Sequence, residues 1–132
     1  MTHDLAAELM TNARRIAVVG CSTTPGKDAH EVPKEMRDRW EILPVNPRAD
    51  TIFGVKAYPD LAAIEGPIDI VNVFRPAAEA ADVARAAAAV GAKALWLQLG
   101  IRSQEARQIA TDAGMAYIED DCLRLARRRA HL

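Results

Sequence analysis

Five apolar runs of strand length recur along the chain with helical stretches between them, and this alternation restricts the fold more than any other feature. The runs are Arg15 to Gly20 (RIAVVG), Trp40 to Val45 (WEILPV), Ile68 to Phe74 (IDIVNVF), Lys93 to Gly100 (KALWLQLG) and Met115 to Glu119 (MAYIE). Several are apolar at successive positions, the pattern of strands covered on both faces. Over 76–90, Ala80, Val83, Ala84, Ala87 and Val90 form one stripe of a helix that Gly91 ends. Ser103 predicts the N-cap of a further helix, in which Ala106, Ile109, Ala110 and Ala113 share a face and Gly114 provides the stop. Pro33 is tolerated in a helix only near its start, so the helix leading to Arg39 begins at about Asp28 to Val32 with Pro33 in its first turn. Thr2 to Asn12 and Asp121 to Arg129 read as flanking helices.

Strands that alternate with helices pair in parallel through right-handed crossovers. The expectation is an α/β protein: a single Rossmann-like domain over residues 1–132, with a doubly wound, mainly parallel five-stranded sheet and helices on both faces. Half of the 132 residues are hydrophobic, enough for the core of one such domain.

The first strand breaks into a small-residue loop, CSTTPGK, that ends in Gly26-Lys27. As a P-loop it fails twice. Five residues separate Gly20 from Gly26, and Asp28 stands where a Mg²⁺-binding Ser or Thr is needed. As a dinucleotide fingerprint it also fails, because Ser22 and Pro25 occupy the second and third glycine positions. Its place still matters, since the ligand crevice of an open α/β sheet lies beyond the carboxyl ends of the strands. The loops Gly20 to Lys27, Asn46 to Arg48, Phe74 to Pro76 and Gln98 to Ser103 are expected to converge there. Helix N-termini at that rim favour an anion, and Lys27, Arg48, Arg75 and Arg102 add full charge. An acidic residue that binds an NAD ribose should follow the second strand, roughly 20 residues past the loop. Asn46-Pro47-Arg48 stands there instead, and an arginine suits a phosphorylated ribose, as in NADP or coenzyme A.

Composition narrows the partners. A net charge of −1 and 5% aromatic residues argue against nucleic acid, which needs a broad basic footprint or stacking platforms. No basic leader or membrane-length apolar run is evident, so a cytoplasmic protein without membrane association is expected. Cys21 and Cys122 match no metal spacing and read as small buried residues. His3, His30 and His131 have no catalytic partner fixed by sequence and read as terminal, surface or helix-cap residues. Trp96 reads as core, Asp120 and Asp121 as caps of the last helix, and Arg127 to Arg129 as charges at that helix's negative end.

The runs VVGCSTTPGK, PVNP (Pro44 to Pro47), GVKAYPDL (Gly54 to Leu61), IDIVNVFRP, GAKALWLQLGI (Gly91 to Ile101) and DDC (Asp120 to Cys122) together resemble the small, single-domain CoA-binding protein family. That family is related in fold to the CoA-binding domain of the succinyl-CoA synthetase α subunit and of ADP-forming acyl-CoA synthetases. The resemblance covers about residues 5 to 129, and it implies coenzyme A, or an acyl-CoA, as the bound small molecule. By position, Gly20, Cys21, Ser22, Thr23, Pro25, Gly26 and Lys27 would surround the CoA phosphates. Asn46, Pro47 and Arg48 would border the nucleotide. Val73, Phe74, Arg75 and Pro76 would line the adenosine side, and Gln98 and Gly100 the pantetheine path. Cys122 would lie near the CoA thiol. Neither the second domain nor the phosphorylated histidine of the synthetases is evident in this chain, so the resemblance implies binding without evident catalysis. The alternative is an NADP-dependent or acyl-transfer enzyme using Cys122. A protein partner or a homodimer is left open by the sequence.

Overall fold

The computed structural model describes residues 4–132, so Thr2 and His3 of the expected first helix lie outside the described residues. Five strands form one sheet: β1 (Arg15–Val19), β2 (Glu41–Val45), β5 (Ile70–Val73), β6 (Ala94–Leu97) and β7 (Ala116–Ile118). Their spatial order is β2-β1-β5-β6-β7, and every pairing is parallel. A two-stranded hairpin, β3 (Thr51–Ile52) and β4 (Val55–Lys56), and a short 3₁₀ turn, Leu61–Ala63, lie between β2 and β5. The helices are α1 (Leu5–Asn12), α2 (Asp28–Met36), α3 (Ala77–Ala89), α4 (Gln104–Asp112) and α5 (Leu123–Arg129).

Side chains alternate across a strand, so the sheet feeds two cores. Ile16, Val18, Ile70 and Trp96 face α1, α2 and α5, where Met10, Met36 and Leu123 meet them. Ala17, Val71, Val73, Leu95 and Leu97 face α3 and α4, where Ala80, Ala84, Ala87, Ala106 and Ala110 let the helices approach closely. Trp96 is fully buried, as expected of core, and its indole N–H donates to the Asp121 carbonyl at 2.7 Å. Pro44 is tolerated because β2 is an edge strand of the main sheet. Tyr58 covers part of that edge: its N–H donates to the Pro44 carbonyl and its carbonyl accepts from Asn46, both at 2.8 Å.

Several local expectations are corrected. The strands stop short of the apolar runs, and the first ends before Gly20 because that residue turns into the left-handed region at φ 87°. Pro33 is the sixth residue of α2 and so lies in its second turn, not its first. Asp120 and Asp121 do not cap α5, whose N-cap is Cys122 without a side-chain cap bond. Asp120 instead accepts from the Gly100 N–H and pairs with Arg102, while Asp121 pairs with Arg129. His30 is buried rather than superficial, with its ring against Phe53. Arg127, Arg128 and Arg129 do sit in the last turn of α5, but each has its own partner: Asp38, Glu35 and Asp121 respectively.

Candidate functional site

The strand order reverses between β1 and β5, the topological switch point at which open α/β sheets bind ligands. At that point the loops that leave these two strands nearly touch. A Cβ added to Gly20 would lie 2.8 Å from the Phe74 carbonyl oxygen and 2.9 Å from the Arg75 Cδ, so only glycine fits between the loops that leave the two strands. Beside this crossing opens a cleft of about 840 Å³, within the usual range for small-molecule and cofactor sites. One wall is the β1–α2 loop from Gly20 to Thr23 with Lys27, and another is Asn46 to Arg48 after β2. The opposite side is Pro59 to Leu61 together with the first turns of α3.

The β1–α2 loop is braced from within. The Ser22 N–H donates to the Ala29 carbonyl at 3.0 Å, and the Thr24 N–H donates to the Ser22 hydroxyl at 3.0 Å. The Gly26 N–H donates to Glu31 Oε2, which also meets His30 Nδ1 at 2.7 Å. The His30 ring and the Gly26 N–H hold the Glu31 carboxyl below its ordinary value. Asn46 ties the two loops together, donating from Nδ2 to the Cys21 carbonyl at 3.0 Å and accepting the Arg48 N–H at 2.8 Å. After this bracing, the N–H groups of Cys21, Thr23, Asp28 and Ala29 have no acceptor among the described residues. They are the donors a bound anion would use at a helix N-terminus and its preceding loop.

Full charges sit around these amides. Among the described residues, the side chains of Lys27 and Arg48 have no ion-pair partner, and both line the cleft. Arg75 is different: its guanidinium is held by Glu79 through two bonds, Nη2 to Oε2 at 2.7 Å and Nε to Oε1 at 3.2 Å. A cation at a helix start is unfavourable unless an anion compensates, and here the helix's own first turn supplies that anion. Burial pushes the Cys21 thiol up to about 12, so it is protonated at neutral pH and adds no charge to the cleft.

Nine of the residues singled out in the sequence line the cleft: Gly20, Cys21, Ser22, Thr23 and Lys27 on one wall, Asn46, Pro47 and Arg48 on another, and Arg75 at the crossing. Pro25 and Gly26 stand exposed at the loop's outer bend. Val73 is fully buried in the core, Phe74 packs partly on the opposite core, and Pro76 is the N-cap of α3. Gln98, Gly100 and Cys122 are not brought to the cleft. The Gln98 Oε1 accepts from Asn72 Nδ2 at 3.2 Å and the Leu123 N–H at 3.4 Å, the Gly100 N–H is taken by Asp120, and Cys122 is buried at the N-cap of α5. Sequence reasoning missed the side formed by Pro59, Asp60 and Leu61 and by Glu79, Asp82, Val83 and Ala86 of α3. The last four share a helix flank by their spacing, but only strand order decides which flank faces the rim.

Comparison with known proteins bears on the family and the fold. Residues 14–128 match the family model of a CoA binding domain. The uncharacterized protein YneT of Bacillus subtilis is 42% identical over 120 residues, 90% of this chain and 89% of that protein. An ADP-forming acetate–CoA ligase of Methanocaldococcus jannaschii is 31% identical over 75 residues; the match covers 56% of this chain and only 11% of the ligase. A solved structure from Thermus thermophilus shares the fold with a TM-score of 0.88 at 34% identity, covering 93% of this chain and 94% of that one. No helix among the described residues is long and apolar enough to cross a membrane.

Proposed function

The chain belongs to the CoA binding domain family, and on that premise we propose that the cleft at the switch point holds coenzyme A or an acyl-CoA, as a binding module without chemistry of its own. One observation carries the reading: unpaired loop and helix amides share one cleft with Lys27 and Arg48, two cations without an ion-pair partner among the described residues. In this reading the pyrophosphate lies on the amides of Cys21, Thr23, Asp28 and Ala29 with Lys27 beside them. Oriented N–H groups and a charge-assisted Lys contact are the usual means of holding a phosphate. Arg48 takes the 3′-phosphate of the ribose, and the adenosine rests by Pro47 and the Phe74 to Pro76 turn. The pantetheine arm leads towards Gln98, Gly100 and Cys122, outside the cleft. The absence of a Ser or Thr after Lys27 fits a loop that holds phosphates without presenting Mg²⁺ for their cleavage.

A thermal-shift series with CoA, acetyl-CoA, NAD, NADP and ATP tests this. A ligand at 100 times its Kd adds about 2.7 kcal/mol, a rise of several degrees in a domain of this size. CoA or acetyl-CoA should produce that rise. Stabilisation by NADP with none by CoA would sink the reading in favour of a dinucleotide enzyme.

A further inference from the structure

A carboxylate beside an anion site opposes the ligand, yet Glu79 lines the same cleft as Lys27 and Arg48. Its geometry suggests what it does there. Both Glu79 oxygens are engaged by the Arg75 guanidinium, at 2.7 and 3.2 Å. The two side chains are about half exposed, 46% and 47%, so they stand in the mouth of the cleft rather than in the core. The Arg75 stem runs against Gly20, where an added Cβ would come within 2.9 Å of its Cδ, at the crossing of the β1 and β5 loops. Breaking the bond to Glu79 frees a guanidinium whose stem already lies beside the loop that carries the unpaired amides. An ion pair this exposed is weak, and a phosphate offers Arg75 a stronger, more highly charged partner.

Resting on the coenzyme reading above, we propose that Glu79 is a resident counter-ion of Arg75 that an anionic ligand group displaces, making Glu79 a specificity-determining residue that sets how much negative charge a ligand needs. With Glu79 in place, an uncharged or weakly charged ligand meets a mouth whose arginine is neutralised. A polyphosphate draws Arg75 away and gains a third cation beside Lys27 and Arg48. The released carboxylate remains at the first turn of α3, where the positive helix end favours it.

Calorimetric titration of the wild type, Glu79→Gln, Arg75→Ala and the double variant with CoA, pantetheine and inorganic pyrophosphate tests the proposal. Glu79→Gln should tighten CoA and pyrophosphate by about two- to fivefold, the scale of one exposed ion pair. It should leave pantetheine unchanged, and the gain should largely vanish in the Arg75→Ala background. A merely structural Glu79 would move all three ligands alike or none, and either result overturns the proposal, as does weaker CoA binding by Glu79→Gln. If the wild type ignores CoA while the pyrophosphate gain persists, the coenzyme assignment fails and the counter-ion role stands.

Discussion

The Ser22 N–H donates to the carbonyl oxygen of Ala29 at 3.0 Å, joining the start of the β1–α2 loop to the first turn of the helix that follows it. In an uninterrupted helix that carbonyl would accept from residue 33, but residue 33 is proline and has no N–H. The proline that looks like a flaw in α2 thus releases the acceptor that folds the loop back on the helix. That bond leaves the neighbouring amides of Cys21 and Thr23 unpaired at the cleft.

Pro33→Ala restores a helical donor to the Ala29 carbonyl and sets it in competition with Ser22. The Ser22 amide, protected by this bond in the wild type, should exchange with solvent about tenfold faster in the variant, since local opening governs exchange. Hydrogen exchange followed by NMR gives the answer; unchanged protection of Ser22 would show that the loop does not depend on the proline.

Gly20 and Gly26 separate two effects that glycine can have. Both are in the left-handed region, at φ 87° and 93°, but a Cβ at Gly20 meets the Phe74 carbonyl and the Arg75 stem, whereas one at Gly26 meets nothing within 4 Å. Gly26→Ala should lose about 1 kcal/mol, the strain of the backbone alone, and Gly20→Ala about 2 to 4 kcal/mol because two loops must also part. Urea unfolding of the pair measures the difference. Equal losses would mean that the β1–β5 crossing yields freely.

The alternation of elements was readable because β1, β2, β5 and β6 are largely buried on both faces, and so carry apolar runs that solvent-facing loops do not. Ser103 was readable as an N-cap for a local reason: its side chain accepts the Ala106 N–H three residues on. What escaped depends on partners distant in sequence. Strand order puts α3 rather than another helix against the β1–α2 loop, and so decides that Glu79 and Asp82 face the cleft. The β3–β4 hairpin has only two residues per strand, with Phe53 at φ 58°, too little pattern to stand out. Asp120 and Asp121 had the composition of caps, but Gly100, Arg102 and Arg129 offer them tertiary donors instead. His30 looked superficial until Phe53 and Glu31 enclosed it.

Asp69 should dominate part of the acid response. Burial pushes its carboxyl up, but the N–H groups of Arg15 and Arg14, both at 2.9 Å, and the Lys93 ammonium at 3.2 Å outweigh that and leave it below its ordinary 3.8. A depressed carboxyl stabilises the fold above its unfolded value, and this contribution disappears as pH falls through the folded value. Asp69→Asn should therefore lose about 1 to 3 kcal/mol at pH 7, the scale of hydrogen bonds to a charged group. The gap to wild type should narrow below about pH 4, where the wild-type carboxylate also takes its proton. Denaturant curves from pH 7 to pH 2.5 measure the gap, and one that stays constant would assign the effect to packing.

Lys27 and Arg48 border the same cleft from different loops, and the coenzyme reading gives them different phosphates. Lys27 stands at the N-cap of α2 beside the free amides of the β1–α2 loop, so Lys27→Ala should weaken CoA and dephospho-CoA alike, by about 1 to 3 kcal/mol. Arg48 follows the Asn46 turn at the end of β2, where a ribose phosphate would lie, so Arg48→Ala should weaken CoA about tenfold and leave dephospho-CoA unchanged. Both side chains are exposed and without ion-pair partners among the described residues, so neither variant should shift unfolding by more than about 0.5 kcal/mol. Calorimetry with the two coenzymes reads the contrast directly. If Arg48→Ala lost both ligands equally, the 3′-phosphate would have to be moved to another cation, and if Lys27→Ala lost neither, the pyrophosphate would not lie on the β1–α2 loop.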